Sequence, residues 1–245
     1  MADFSYIGSG KLYVREYGAA AGRKEIGNVS RLVLSVTEEQ KKLLDHTQPG
    51  GGTYNEVRRI SAVEASFVMH DLSPANFAIA MFGAATAVSA GSVTDEVVTA
   101  YLDSFIPFAK IPSGSIVVTN SAGDTTYTAG TDYQVRSGGI YIPASGTTIT
   151  NAQSLKVDYA YAIQDRVETI INSAKDYEMF FDGLNEARSG KAVTVRIHRV
   201  KIGAPREVAL IGDDHAALEV SGEAQKDTAI TTAGLSQYAV VALVA

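Results

Sequence analysis

The run KAVTVRIHRVKI, from Lys191 to Ile202, restricts the fold of this chain more than any other stretch. Val193, Val195 and Ile197 alternate with Thr194, Arg196 and His198, and only an extended strand places the first three on one face and the last three on the other. After Ile197 the phase slips, because the next apolar residues are Val200 and Ile202 rather than Arg199 and Lys201. A one-residue slip in a regular strand predicts a bulge, which bends the sheet that contains it. Upstream, a strand ending in Phe180 and Phe181 and a polar connection of about nine residues complete a hairpin spanning Tyr177 to Ile202.

The N-terminal part reads as the other strands of the same sheet. Leu12 and Val14 put one face on a short strand, Lys11 to Arg15, and Leu32, Leu34 and Val36 alternate with Val33 and Ser35 in a strand predicted to be buried on one side and half covered on the other. Thr37-Glu38-Glu39-Gln40 has the spacing of a capped helical turn. Gln48-Pro49-Gly50-Gly51-Gly52 predicts an exposed, flexible loop. From Arg59 to His70, Val63, Ala65, Phe67 and Met69 share a face opposite Glu64, Ser66 and His70. A helix follows, with Ser73 as N-cap, Pro74 at the first helical position, Leu72 and Phe77 as a hydrophobic staple and Gly83 as terminator. Ile79, Ala80, Met81 and Phe82 make it apolar nearly all round, so it is expected to be buried.

From Phe105 to Ala162 the composition changes. The only charged residues are Lys110, Asp124, Asp132, Arg136, Lys156 and Asp158, and their charges cancel. Short alternating runs, Ser115 to Thr119, Tyr133 to Arg136, Ile140 to Ile142 and Leu155 to Tyr161, are separated by Gly- and Asp-rich turns. These features predict a small β-sandwich, residues 105–162, inserted into a discontinuous host domain of residues 1–104 and 163–245. The host resumes with strands through Ile170 and Ile171, Val208 to Ile211, Leu218 to Val220, and an apolar terminal run, Tyr238 to Val244, expected to pair within a sheet.

Composition removes several classes of function. The chain has 245 residues, no cysteine and a formal net charge of −6. Disulfides, thiolate zinc sites and a cysteine nucleophile are excluded, and an acidic balance disfavours tight nucleic-acid binding, which draws its affinity from neutralised phosphates. The opening MADFSYIGSGKLYVREYG carries no leader pattern, and the apolar run Phe77 to Val88 is shorter than the ~20 residues of a membrane span. Asn28-Val29-Ser30 matches a glycosylation sequon, read as chance without secretion.

Motifs for chemistry are sparse. Gly8-Ser9-Gly10-Lys11 resembles the end of a phosphate-binding loop, but Ser5 replaces the required glycine and Leu12 the magnesium-binding hydroxyl. Gly234-Leu235-Ser236-Gln237-Tyr238 lacks the closing glycine of a hydrolase elbow. Gly212-Asp213-Asp214-His215 offers two carboxylates and an imidazole to a cation, or is a solvated turn between strands. His198 beside Arg196 reads either as a tuned catalytic base or as part of a solvent- or subunit-facing row. No constellation amounts to an active site, and no enzyme activity or cofactor is expected.

The run from Tyr177-Glu178-Met179-Phe180-Phe181-Asp182-Gly183-Leu184-Asn185 through Gly190-Lys191 resembles the tail tube, or major tail, proteins of long-tailed bacteriophages of siphophage type. So do Gly27-Asn28-Val29-Ser30 entering a strand, the Leu72-Ser73-Pro74-Ala75-Asn76 helix start, Gly130-Thr131-Asp132-Tyr133 and Val157-Asp158-Tyr159-Ala160-Tyr161. The resemblance covers nearly the whole chain and lies in the order of short motifs. It implies a mainly β tail-tube fold, antiparallel sheets forming a β-sandwich or half-barrel with one short buried helix and the inserted β-rich domain. It further implies a structural subunit of hexameric rings that stack into a tube in the virion tail, made in the bacterial cytoplasm, through which DNA passes without sequence-specific binding. The partners implied are further copies of the chain and the tape measure, tail terminator and distal tail proteins.

Within that picture Glu64, Glu219 and Glu223 are candidates to face the lumen, where acid would repel phosphate. Pro49, Gly50, Gly51 and Gly52 would form an inter-ring or inter-subunit loop, and Arg196 and His198 an inter-subunit strand face. Two other readings remain open. One is a carbohydrate- or receptor-binding β-module of a tail, prompted by the Tyr-rich insert; the other is the inner tube of a contractile tail or tail-derived bacteriocin.

Overall fold

The alternation in Lys191–Ile202 is realised as the central strand of an eight-stranded antiparallel sheet. The computed structural model describes residues 5–47, 49–205 and 207–244. In chain order the first elements are β1 (Gly8–Glu16), β2 (Lys24–Glu25), β3 (Val29–Leu44), β4 (Thr53–Met69), α1 (Pro74–Ala80) and β5 (Ala84–Val88). There follow β6 (Gly91–Ala100), β7 (Ser104–Pro107), β8 (Ile116–Asn120), β9 (Thr126–Tyr127), β10 (Gln134–Arg136), β11 (Gly139–Ile142) and β12 (Gln153–Tyr161). The chain returns through β13 (Gln164–Glu168), β14 (Asp176–Asn185), a 3-10 turn at Glu186–Arg188, β15 (Lys191–Ile202), β16 (Leu218–Ala224) and β17 (Ala239–Leu243). The fold is mainly β, and among the described residues none of its sheets closes into a barrel.

Two compact units result, Met1–Ala85 with Val167–Ala245, and Thr86–Arg166. The insertion is therefore longer than the predicted 105–162. Its first strand, β6, pairs with β12 from Gln153↔Ala100 to Tyr161↔Gly91, and this pairing draws the segment before residue 105 into the insert's sheet. Composition could not mark that edge, because β6 carries Asp95 and Glu96 and resembles the acidic host.

In the host the strand order is β2-β1-β14-β15-β16-β4-β3. Beside β15, on the side away from β14, the neighbour changes along the strand: β17 pairs with Val193–Ile197, and β16 with Val200–Ile202. The predicted bulge lies at this fork. Tyr177 pairs with Val200 and Met179 with Ile197, so the single residue Glu178 on β14 faces two, His198 and Arg199, on β15. The extra residue restores Val200 and Ile202 to the apolar face, and both are fully buried.

One core serves the unit, built from Leu12, Val14, Phe67, Met179, Ile197, Val200 and their neighbours. Strands β1 and β4 both contribute although three strands separate them in the sheet, which therefore curves around its apolar face. Helix α1 covers part of that face through Phe77, Ile79 and Ala80. Ser73 caps it by accepting from the Asn76 N–H at 3.3 Å, and buried Asn76 ties it to the sheet by donating to Ile26 O at 2.6 Å and Asp71 O at 2.8 Å. Most of its residues are half-buried, a looser environment than its composition predicts.

Five other local expectations are corrected. Thr37–Gln40 is extended, because β3 continues through it in register with Ile60, Arg59 and Arg58 of β4. Most of β3 is exposed rather than buried on one side. Strand β14 runs past Phe181 to Asn185 in continuous pairing with β1 and β15, which shortens the connection. Val208–Ile211 and Ile170–Ile171 are not strands, and Ile170 takes a left-handed backbone with φ 59°.

The insert has its own core between two sheets, β10-β11-β7 and β6-β12-β8-β9, filled by Ile106, Ile140 and Ile142 from one and Val118, Leu155 and Val157 from the other. This is the sandwich that the alternating runs predict. Buried Asp132 organises its turns, accepting from the Thr128 N–H and from the N–H and hydroxyl of Thr148, each at 2.8 Å. Among the described residues no helix is long and apolar enough to cross a membrane.

Candidate functional site

The most distinctive surface of the host is the β3–β4 hairpin. Its strands run 16 and 17 residues, but the buried row of β4 starts only at Val63. An irregularity at Ser61, where Thr37 pairs with Ala62 and Glu38 with Ile60, ends the core-facing register. Beyond it the arm carries Leu43, Leu44, Tyr54, Val57 and Ile60 into solvent, with Tyr54 71% and Ile60 59% exposed. Val57 and Ile60, three residues apart on a strand, point to opposite faces, so the arm is apolar on both sides.

Pro49, Gly50, Gly51 and Gly52 form the exposed tip of this arm; Gln48 lies outside the described residues. Gly51 has φ 64° and Gly50 φ 110°, which L side chains adopt rarely. The tip closes through Asp45, whose N–H donates to Gly52 O at 2.8 Å and whose carboxylate accepts from the Thr47 N–H at 2.8 Å.

A second apolar surface adjoins the sheet's fork. Strand β17 pairs with β15 alone among the described residues, and Val240, Val241 and Leu243 are exposed along it. Together with Leu12, Leu32, Leu34, Phe181 and Val195, Val241 lines an open cleft of about 550 Å³. The outer edge of β3, last in the strand order, is likewise unpaired among the described residues.

The opposite face of the sheet is polar and divides by charge. Glu64 and Glu223 are directly opposite each other on β4 and β16, Glu219 lies on the same face of β16, and all three are exposed. The next strands carry the cations. Glu178, 3% exposed, binds Arg23 at 2.6 Å, Arg196 at 2.7 Å, and Arg15 as well. Burial opposes its charge, but hydrogen bonds from Arg23 and Arg15 and the charge of Arg196 outweigh it and hold the carboxyl below its ordinary range.

Beyond the bulge, Arg199 binds Asp176 at 2.5 Å and lies over the Tyr17 ring, 5.1 Å from its centre. The Tyr17 hydroxyl donates to Asp227 at 2.7 Å. That bond raises the tyrosine's pKa and, above all other influences, lowers the carboxyl's.

Arg196 and His198, read from sequence as one row, are separated by the bulge. Arg196 stays on the polar face with Glu178, whereas His198 is 6% exposed, its Nε2 has no hydrogen-bond partner, and its backbone N–H donates to Tyr238 O at 2.9 Å. Gly8, Ser9 and Gly10 are strand residues paired with Asn185, Leu184 and Gly183 rather than a phosphate loop. Asp214 and His215 line an open cleft with His70 and Asp71, and no group of three or more His, Cys, Asp or Glu among the described residues is arranged to hold a metal. Sequence reasoning missed Glu178, because its arginine partners come from positions 15, 23 and 196; the one available signal was a lone acid on an otherwise apolar run, Tyr177 to Phe181.

These features define a mainly antiparallel β protein with an inserted sandwich, a projecting apolar hairpin and an open sheet. The chain belongs to the family described as Protein of unknown function UCP028589, which matches residues 5–242. No curated protein matches it.

Proposed function

We propose that this chain is a self-assembling structural subunit, the repeating unit of the tail tube of a long-tailed bacteriophage. The observation that carries the reading is the β3–β4 arm, whose apolar residues on both faces find no cover within their own unit. An exposed apolar hairpin and free strand edges are aggregation hazards unless a specific partner pairs them, and ring closure by identical copies does so without leaving a free edge. The curved, unclosed sheet suits that role, because a barrel can be completed by neighbouring copies. The resemblance of its short ordered motifs to those of tail tube proteins is a second support for the reading.

In this arrangement the acidic stretch Glu64, Glu219 and Glu223 would face passing DNA and keep it from binding. The test is negative-stain electron microscopy with sedimentation analysis of the purified full-length protein. Rings and stacked tubes are expected; a protein that stays monomeric at every concentration, alone and with phage tail initiator proteins, rejects the reading.

A further inference from the structure

We propose that the open cleft beside β17 is a receptor for the tip of the β3–β4 arm of a second copy of this chain. The proposal rests on the self-assembly reading and says where the contact lies. The cleft marks the end at which the host's core stops short. Leu34 and Val36 pair with Ala65 and Val63, which are buried, so all four share the core-facing side of the sheet. Leu34 nevertheless stays 40% exposed and Val36 54%, and Val241 and Leu243 of β17, which line the cleft with Leu34, are exposed as well.

Two properties of the arm fit it to this cleft. The first is its apolar tip. Leu43 pairs with Asn55 and Leu44 with Thr53, which leaves Tyr54 as the extra residue of an irregularity and gathers Leu43, Leu44 and Tyr54 at the end of the hairpin. All three are more than half exposed, and a cleft of about 550 Å³ has the capacity for two or three such side chains. The second is charge. From Leu43 to Asn55 the only Asp, Glu, Lys or Arg is Asp45, whose carboxyl is held below its ordinary range by hydrogen bonds from the Thr47 hydroxyl and N–H and is therefore ionised at neutral pH. The charged residues that line the cleft are Arg31 and Arg188, both cations. An apolar tip with one acid meets an apolar cleft whose charges are of the opposite sign.

The tip must come from another molecule, because the arm cannot reach its own cleft. Strand β3 stays extended and paired with β4 from Leu34 to Leu43, a stretch that spans about 30 Å. A second copy supplies the same tip without that constraint. Each copy then offers both a tip and a cleft, so the contact is head-to-tail and repeats, which is the kind of interface that generates rings or filaments.

The chain has no cysteine, so single introduced cysteines can map the contact. Full-length Tyr54→Cys and Val241→Cys proteins are mixed, treated with a short bismaleimide and digested, and the linked peptides are identified by mass spectrometry. Tyr54→Cys mixed with Val97→Cys, at an exposed position of the insert, is the control. A link between positions 54 and 241 is expected, and none between 54 and 97. Leu44 is exposed in the single copy, so adding Leu44→Lys to the arm protein should spare the fold while weakening association in sedimentation at least tenfold and reducing the link in step. Oligomers that give no link between 54 and 241, or that form as well with Leu44→Lys as without it, overturn the inference and leave the tube reading standing. A link between 54 and 241 in oligomers that never form rings or tubes sinks the tube reading alone. A protein that stays monomeric at every concentration sinks both.

Discussion

Glu178 and Arg196, on the neighbouring strands β14 and β15, hold their charges 2.7 Å apart where Glu178 is almost completely buried. Arg15 and Arg23 close on the same carboxylate, so it joins three segments distant in sequence. Glu178→Gln would leave three guanidinium groups around a neutral amide, and removing one partner of a buried ion pair costs about 3–5 kcal/mol. Urea denaturation should show that loss in the host unit.

The same carboxyl makes stability depend on pH in a defined direction. Its folded pKa lies below the ordinary 4.5, so the stability it contributes is fully present above the unfolded value and is lost as pH falls through the folded value. Urea midpoints measured from neutral pH down to about pH 3 should therefore fall on an acid limb that begins near the unfolded value. Asp227 and Asp132, whose carboxyls are also lowered, steepen the limb. Glu178→Gln should make it shallower.

The bulge at His198 and Arg199 yields a sharper test of how the sheet is specified. Because side chains alternate with a period of two, deleting Arg199 would turn every following residue of β15 over, moving Val200 and Ile202 to the polar face. These two residues are fully buried, and each loses about 1.5–3 kcal/mol of burial when exposed. The deletion should abolish soluble expression, whereas Arg199→Ala, which removes the ion pair with Asp176 and the guanidinium over the Tyr17 ring but keeps the register, should express and melt at a modestly lower temperature.

That bulge was legible in the sequence because it disturbs a local pattern, as were the helix cap at Ser73, the row from Val63 to Met69 and the insert's strands β8, β10, β11 and β12. Elements decided by distant partners were not. Thr37–Gln40 has the spacing of a helix cap, but pairing with Ile60, Arg59 and Arg58 overrides so weak a local preference. Val208–Ile211 is apolar enough for a strand yet pairs with no strand among the described residues, and Ile211 is almost fully exposed. The candidate lumen acids were named from alternation alone, which assigns a face but not the pairing of Glu64 with Glu223.

Direct opposition of Glu64 and Glu223 makes a prediction of its own, since like charges facing each other across strands destabilise a sheet. Glu64→Lys should raise the melting temperature at low ionic strength, and added salt should remove most of the gain. If this face lines a DNA conduit, Glu64→Lys with Glu223→Lys should retain DNA on preformed tubes in a filter-binding assay that the wild type passes. Equal release by both proteins would place the acids elsewhere in the assembly.

The projecting arm decides between a subunit and a stand-alone protein. Val57 and Ile60 lie beyond the core-facing register, on opposite sides of the hairpin, so Val57→Lys and Ile60→Asp should each leave the monomer's unfolding free energy within about 1 kcal/mol of wild type. A buried Val or Ile contributes about 1.5–3 kcal/mol, so covering either at an interface between copies should make each substitution cost at least tenfold in association. Sedimentation equilibrium measures that loss, and circular dichroism on the same samples verifies the fold. An arm that merely decorates a monomer would tolerate both changes with no shift in sedimentation, whereas a ring built through it should fail to close when either face is charged.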